Sequence, residues 1–246
     1  MKLSFCIITV GSRVNELKLC LKSIEKNFIN SDLDYELILV GNNIPKLNHK
    51  NLKIIEDFEY VEFLGKRKNI AIENSSGDIL IHCDEDMLFC QNWLENFLKY
   101  NKKNKDWQIL GNKILLPYGG RHWDRATYKP IHIMVDYDYE SDSDTFYQTG
   151  GFSICKRNLF KKIKWADNLP FNAMHKGFEN NEDIDFSLRL KNLGIKIHFD
   201  KDNTVWHYDY TYKSNGYSTN KNTLYSVLKP KCEEFVKLLK KLEHEQ

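Results

Sequence analysis

Gly77-Asp78-Ile79-Leu80-Ile81-His82-Cys83-Asp84-Glu85-Asp86 is a short apolar run that ends abruptly in three acids. The run from Ile79 to Cys83 follows a Ser75-Ser76-Gly77 turn and is rich in β-branched and aliphatic residues, which predicts a buried strand rather than a helix. Three carboxylates at a strand's end repel one another unless positive charge sits among them. In an open α/β sheet the carboxyl ends of the strands are where ligands bind, so a ligand commonly supplies that charge. Asp84 and Asp86 lie two residues apart and share a face in an extended segment. Two hard oxygen donors on one face suit Mg2+ or Mn2+ holding a diphosphate. The same triplet also reads as a solvated acidic turn, so its surroundings must decide.

Upstream, strand and helix alternate. Leu3 to Thr9 is nearly continuous and apolar, as a strand buried on both faces should be. Gly11-Ser12 breaks it, and Leu17, Leu21 and Ile24 then mark a helix from about Val14 to Asn27. Glu36 to Val40 is a second strand, stopped by Gly41-Asn42-Asn43, and Leu52 to Ile55 a third. Gly65 to Glu73 reads as a helix with Lys66, Arg67, Lys68 and Asn69 in its first turns. This alternation implies parallel strands with right-handed crossovers, an α/β architecture.

Downstream, the pattern changes. Asn92 to Tyr100 is a predicted helix and Trp107 to Leu116 a strand. Pro117 to Thr149 holds Gly119-Gly120, Trp123, Tyr128, His132, Tyr137, Tyr139 and Tyr147 without helical spacing, which predicts loops and short antiparallel strands. Gly150-Gly151 turns into a strand at Phe152 to Cys155, and Arg157 to Lys161 is a short helix. Asn181-Glu182-Asp183-Ile184-Asp185 opens another helix, and Ile195 to Phe199 and Thr204 to His207 are two short strands. Lys221 to Leu242 is amphipathic: Leu224, Leu228, Phe235, Leu238 and Leu242 form a stripe that the protein's own sheet, a second subunit or an anionic membrane could cover.

Composition narrows the function classes. The chain has 246 residues, 36 basic and 34 acidic, for a net charge of +2, which argues against a nucleic-acid binder driven by bulk charge. Its six cysteines (Cys6, Cys20, Cys83, Cys90, Cys155 and Cys232) are scattered without paired spacing, as expected in a reducing compartment. No apolar run approaches the roughly 20 residues of a membrane helix, and Met1 to Val10 lacks a leader's cleavage region. The expectation is a cytoplasmic protein, with peripheral membrane contact and a homodimer as options.

Taken singly, the chemical signals are weak. Acids such as Glu182 and Asp185 complement a helix dipole, and Asp185 with Arg189 makes an i, i+4 pair. A single histidine such as His207 is often structural. Their order carries more. Ser4-Phe5-Cys6-Ile7-Ile8-Thr9, the Leu17 to Ile24 helix, Lys68-Asn69…Ser76-Gly77-Asp78…Asp84-Glu85-Asp86, Gly150-Gly151-Phe152…Phe160, Glu182-Asp183-Ile184-Asp185…Arg189-Leu190 and Val205-Trp206-His207 follow one another. This set resembles the GT-A glycosyltransferases, closest to the family 2 type. Three positions depart from that pattern. Gly41-Asn42-Asn43 stands where an Asp-rich turn is usual, Gly11-Ser12 replaces a proline-containing loop, and Lys68 stands where arginine is more usual.

The resemblance implies a nucleotide-sugar-binding half at 1–116, an acceptor half with short antiparallel strands at 117–215, and a helical extension at 216–246. It implies that Asp86 and His207, with Asp84, hold Mn2+ or Mg2+. Thr9, Asn42, Lys68, Asn69, Asp84 and Glu85 would contact a nucleoside-diphosphate sugar, with Arg67 adding charge beside Lys68. Asp183 would be the general base and Glu182 would orient the acceptor. Trp123, Tyr128 and Gly151 would meet the acceptor, a glycan or lipid-linked hydroxyl in surface polysaccharide or glycoconjugate synthesis, and the transfer would invert the anomeric centre. Two other readings stay open: a nucleotidyltransferase acting on a sugar phosphate, for which Val10-Gly11-Ser12-Arg13 is poor in glycine, and a non-catalytic carbohydrate-binding protein of the same fold.

Overall fold

A strand buried on both faces needs alternate side chains to enter two different cores, and the first strand does this. In β1 (Lys2–Thr9), Leu3, Phe5 and Ile7 enter one apolar cluster while Cys6 and Ile8 enter another. The computed structural model describes residues 1–128, 133–139, 146–170, 181–208 and 233–243.

Around β1 stand β2 (Asp34–Gly41), β3 (Leu52–Glu56) and β4 (Ile79–Asp84), all parallel, as the alternation predicts. Next come β5 (Met87–Phe89), β6 (Ile109–Leu115), then β7 (Ala126–Thr127), β8 (Ile133–Met134), β9 (Phe146–Tyr147), β10 (Phe152–Lys156) and β11 (Ile197–His207). Eight of these form one sheet in the order β3-β2-β1-β4-β10-β6-β11-β5, and β8-β7-β9 form a small antiparallel sheet. Antiparallel β10 joins the parallel strands to the second half, so both halves contribute to one sheet.

The helices α1 (Val14–Phe28) and α3 (Trp93–Lys103) cover one face through Leu17, Ile24, Trp93 and Phe97. On the other face lie α2 (Leu64–Glu73) and α4 (Glu182–Asn192), with Ala71, Ile72, Phe186 and Leu190. Residues 233–243 are helical; Phe235 and Leu242 are buried in the first core, and the Phe235 ring lies 5.1 Å from Trp206 and 5.5 Å from Tyr208. The protein's own core therefore covers that part of the amphipathic stripe; 221–232, with Leu224 and Leu228, lies outside the described residues. Among the described residues no helix is long and apolar enough to cross a membrane.

Two elements differ from the expectation. The acidic turn leads directly into β5, which pairs with Val205 to His207. The two strands expected at 195–207 are one strand with an irregular register between Asp200 and Thr204. The short antiparallel strands expected within Pro117 to Thr149 are present as β7, β8 and β9, while 129–132 and 140–145, with His132, lie outside the described residues.

Candidate active site

Register brings the chemistry to one edge of the sheet. Thr9 ends β1 opposite Gly41 and Asp84 ends β4 opposite Ile8, so three parallel strands finish together. A cavity of about 530 Å³ opens above them, lined by Val10, Arg13, Asp84, Asp86, His122 and His207 among others.

The acidic turn is fastened from below. The Glu85 amide donates to the Ile8 carbonyl at 3.1 Å, and the Glu85 carboxylate accepts from the Thr9 hydroxyl. Glu85 thus bonds to β1 from beneath the turn. Beyond it, the buried Asp86 Oδ2 accepts from Arg13 Nη1 and lies 3.4 Å from His207 Nε2. His207 reaches this point because β11 pairs antiparallel with β5, setting His207 opposite Met87. The His122 ring lies 4.3 Å from the His207 ring.

Two glycines let the second half close on this turn. A Cβ on Gly151 would lie 2.9 Å from Asp84 Oδ2, and one on Gly150 would lie 2.7 Å from Glu182 Oε1. Without those side chains, the start of α4 approaches the end of β4. Asp183 lies in the first turn of α4: its Oδ1 accepts from the Ile184 amide at 2.7 Å and its Oδ2 from the Gly150 amide at 3.1 Å. Beside it, Lys68 Nζ bonds to Glu182 at 3.0 Å and lies 4.3 Å from the Trp165 ring centre. Trp165 in turn stacks on Phe186 of α4, with ring centres 4.0 Å apart.

This crowding of acids shows in their proton affinity. Burial pushes the Asp84 carboxyl up to about 7, and the Asp86 charge adds to it against the pull of Lys68 and His207. Burial, then the Glu182 charge, pushes Asp183 to about 7 as well. A carboxyl near 7 can take and release a proton at neutral pH.

Other expected donor contacts are engaged with the protein itself. Asn69 bonds through both ends of its amide to the Trp165 backbone, at 2.9 and 3.1 Å. Arg67 is fully buried; it pairs with Asp57 at 2.8 Å, donates to the Thr9 carbonyl at 3.1 Å and holds the Asn42 side chain at 3.0 Å. Its guanidinium braces the ends of β1 and β2, where the expectation set it beside Lys68 at the diphosphate. Tyr128 packs against Ala126, Tyr147 and Ile184. Trp123 is 38% exposed with φ of 43°, a backbone conformation rarely held by a bulky residue and one that clusters at functional sites. Asp185 and Arg189 form the expected helix pair.

Arg13, His122 and Trp165 escaped the sequence reading. Arg13 had a signal, a lone cation in the loop after the first strand, opposite three acids. His122 is set by Gly119-Gly120 and a bond from its amide to the Ile114 carbonyl, which no spacing reveals.

Among the described residues no three His, Cys, Asp or Glu side chains are grouped closely enough to hold a metal ion as they stand. The donor chemistry nevertheless fits a divalent cation. Asp84, Asp86 and His207 line one cavity, and Asp86 Oδ1 is buried without a hydrogen bond among the described residues.

Comparison with known proteins bears on the family and the fold. The sequence profile of Glycosyl transferase family 2 matches residues 4–164. No curated protein sequence matches the chain. Among solved structures, that of S. aureus TarS 1-349 superposes with a TM-score of 0.61 at 17% identity, covering 97% of this chain and 71% of that one. TarS 1-349 in complex with UDP-GlcNAc gives 0.61 at 18% identity over 96% of this chain and 66% of that one. GalNAc-T7 with UDP, GalNAc and Mn2+ gives 0.62 at 14% identity, covering 85% of this chain and 44% of that one. At such identities these structures establish a shared GT-A fold. Since the family profile spans most of the chain, from β1 through the acidic turn and the Gly150-Gly151 pair, the protein belongs to glycosyl transferase family 2 and is a glycosyltransferase.

Proposed function

We propose that the protein moves a sugar from a nucleoside diphosphate to a hydroxyl of a glycan or lipid-linked acceptor, with a divalent cation and inversion at the anomeric carbon. One observation carries this reading: Asp183 and Glu182 meet the end of β4 across Gly150 and Gly151, so a proton acceptor stands beside the acidic turn. Asp86, His207 and Asp84 would hold Mn2+ or Mg2+, which when bound neutralises charge on a leaving diphosphate. Asp183 takes the proton of the attacking hydroxyl, and its carboxyl near 7 suits that task. Glu182, held by Lys68, orients the acceptor. Trp123 offers an exposed aromatic face to a sugar ring, and Tyr128 and Gly151 would also meet the acceptor. A base on the face opposite a departing diphosphate gives a single displacement and hence inversion. Thr9, Asn42, Asn69 and Glu85, each fixed by a side-chain hydrogen bond, shape the donor site. We assign the reaction to the cytoplasm and to surface polysaccharide or glycoconjugate synthesis; free thiols at Cys6, Cys20, Cys83, Cys90 and Cys155 are in keeping with a reducing compartment.

The test is a panel of nucleoside diphosphates and their sugars, with UDP-sugars first because TarS and GalNAc-T7 have been crystallised with UDP or UDP-GlcNAc. A matching donor with Mn2+ should raise the melting temperature and be slowly hydrolysed. Release of pyrophosphate from a nucleoside triphosphate and a sugar phosphate would instead mark a nucleotidyltransferase. Donor binding without turnover on any acceptor would mark a carbohydrate-binding protein.

A further inference from the structure

The Arg13–Asp86 pair joins a buried carboxylate to an exposed cation. Asp86 sits at the end of the turn stapled by Glu85, and its side chain is 1% exposed. The Arg13 backbone is equally fixed, because its carbonyl accepts the Leu17 amide at 2.9 Å in the first turn of α1. Two residues before it, Gly11 at φ of 76° lies against the turn that follows β2, where a Cβ would stand 2.1 Å from the Asn42 carbonyl oxygen. The Arg13 side chain differs: it is 39% exposed and lines the same cavity as Asp84 and His207. A buried carboxylate is costly without a positive partner, so something must neutralise Asp86 when no ligand does.

We propose that Arg13 is a built-in stand-in for the divalent cation, holding Asp86 in the donor-free protein and yielding it to the cation when a diphosphate arrives. The inference rests on the reading of Asp86 as a cation ligand. A guanidinium makes its best bonds to paired oxygens, and phosphate offers these as well as carboxylate does. Once released from Asp86, Arg13 remains on the cavity wall and pairs with the diphosphate oxygens. Cation and diphosphate therefore bind as a couple, and the cation alone binds weakly because it must displace a tethered charge.

The experiment is calorimetric titration of MnCl2 into the full chain, with and without saturating UDP. The proteins are wild type, Arg13→Gln, Arg13→Lys and Asp86→Asn, each first checked for a cooperative melt. Without UDP, Arg13→Gln should bind Mn2+ about 10-fold more tightly than wild type, the equivalent of roughly 1.4 kcal/mol released from competition. Arg13→Lys, which keeps a charge but loses the planar fork, should fall between them. UDP should raise the Mn2+ affinity of wild type more than that of Arg13→Gln. If Arg13→Gln binds Mn2+ no more tightly than wild type while Asp86→Asn loses binding, the stand-in role is overturned and the cation site survives. If Asp86→Asn binds Mn2+ as wild type does, the cation reading itself fails, and the stand-in falls with it.

Discussion

Glu36 and Asp84 stand at opposite ends of the same strand layer, and their carboxyls shift in opposite directions. At the amino end, burial works against the Glu36 charge, yet hydrogen bonds from Ser4, Ser76 and Lys2 overcome it and bring the carboxyl down to about 2. At the carboxyl end, burial and the neighbouring Asp86 carry Asp84 up to about 7, and Asp183 follows for the same kind of reason. The difference lies in the partners. The amino end supplies hydroxyls, an amide and a lysine from β1 and from the turn that leads into β4. The carboxyl end packs four acids, Asp84, Asp86, Glu182 and Asp183, around few cations. One edge is built to hold the sheet together. The other keeps charge poorly compensated, as active sites do when they await a charged ligand.

The most severe way to break the active edge is Asp183→Asn. Asparagine keeps the size and can still accept the Gly150 amide, but it cannot take a proton. Turnover should fall by roughly 10²–10⁴-fold with donor affinity nearly unchanged. The wild-type rate should also fall as pH drops below about 7, because a raised carboxyl is protonated there. A variant that loses donor binding along with turnover would instead assign Asp183 a role in holding the fold.

Lys68→Met attacks the same edge through its compensation. The Lys68 side chain is 2% exposed, with its ammonium group between Glu182 and the Trp165 ring, and its loss takes from Glu182, buried beside Asp183, the positive partner it has among the described residues. Chemical denaturation should show a loss of about 3–5 kcal/mol. Adding Glu182→Gln should return most of that, since the penalty comes from the stranded acid. A double variant no more stable than Lys68→Met would mean that the two groups are not coupled.

Glu36→Gln probes the quiet edge, with a smaller effect and no effect on catalysis. It should cost roughly 1–2 kcal/mol at pH 7, the usual worth of charge-assisted hydrogen bonds at a part-buried site. Because the folded carboxyl is lowered, its contribution is present above about 4.5 and is lost as pH falls toward 2. Wild type and variant should therefore converge in acid, with equal turnover per folded molecule at neutral pH.

These edges were not equally readable in the sequence. β1, β2 and β4 are buried on both faces and announce themselves as apolar runs. The acids at 84–86 and 182–183 announce themselves by type. Their partners do not. β5 is three residues long and exists because Val205 to His207 come back to pair with it, a contact no local pattern encodes. The stretch Asp200 to Asn203 is polar enough to read as a turn, yet β11 runs through it with an irregular register. Lys68 and Arg67 are adjacent cations in one helical turn. The fold sends one to Glu182 and the other to Asp57, a division that depends on which way each faces. Residue type reveals that charge is gathered here; tertiary contacts decide how it is balanced.

The finest test of the contrast is Asp84→Asn, which should stabilise the protein when no ligand is bound. Among the described residues Asp84 has no compensating network like that of Glu36, and folding raises its carboxyl from 3.8 to about 7. The folded state therefore binds the proton more tightly than the unfolded chain. That contribution is fully present below about 4 and is lost as pH rises through 7, so at pH 8 the protein carries an ionised carboxyl its surroundings disfavour. Asparagine has the same shape without the charge. After chelation and at pH 8, the variant should gain about 1 kcal/mol, or roughly 2–4 °C in melting temperature for a chain of this size. At pH 4 the gap should close, because wild-type Asp84 is then neutral in the folded protein. With Mn2+ and a nucleoside diphosphate the order should reverse, since the variant has given up a ligand. A variant less stable than wild type at pH 8 in chelator would show that Asp84 is held as firmly as Glu36, and the two edges would no longer differ in kind.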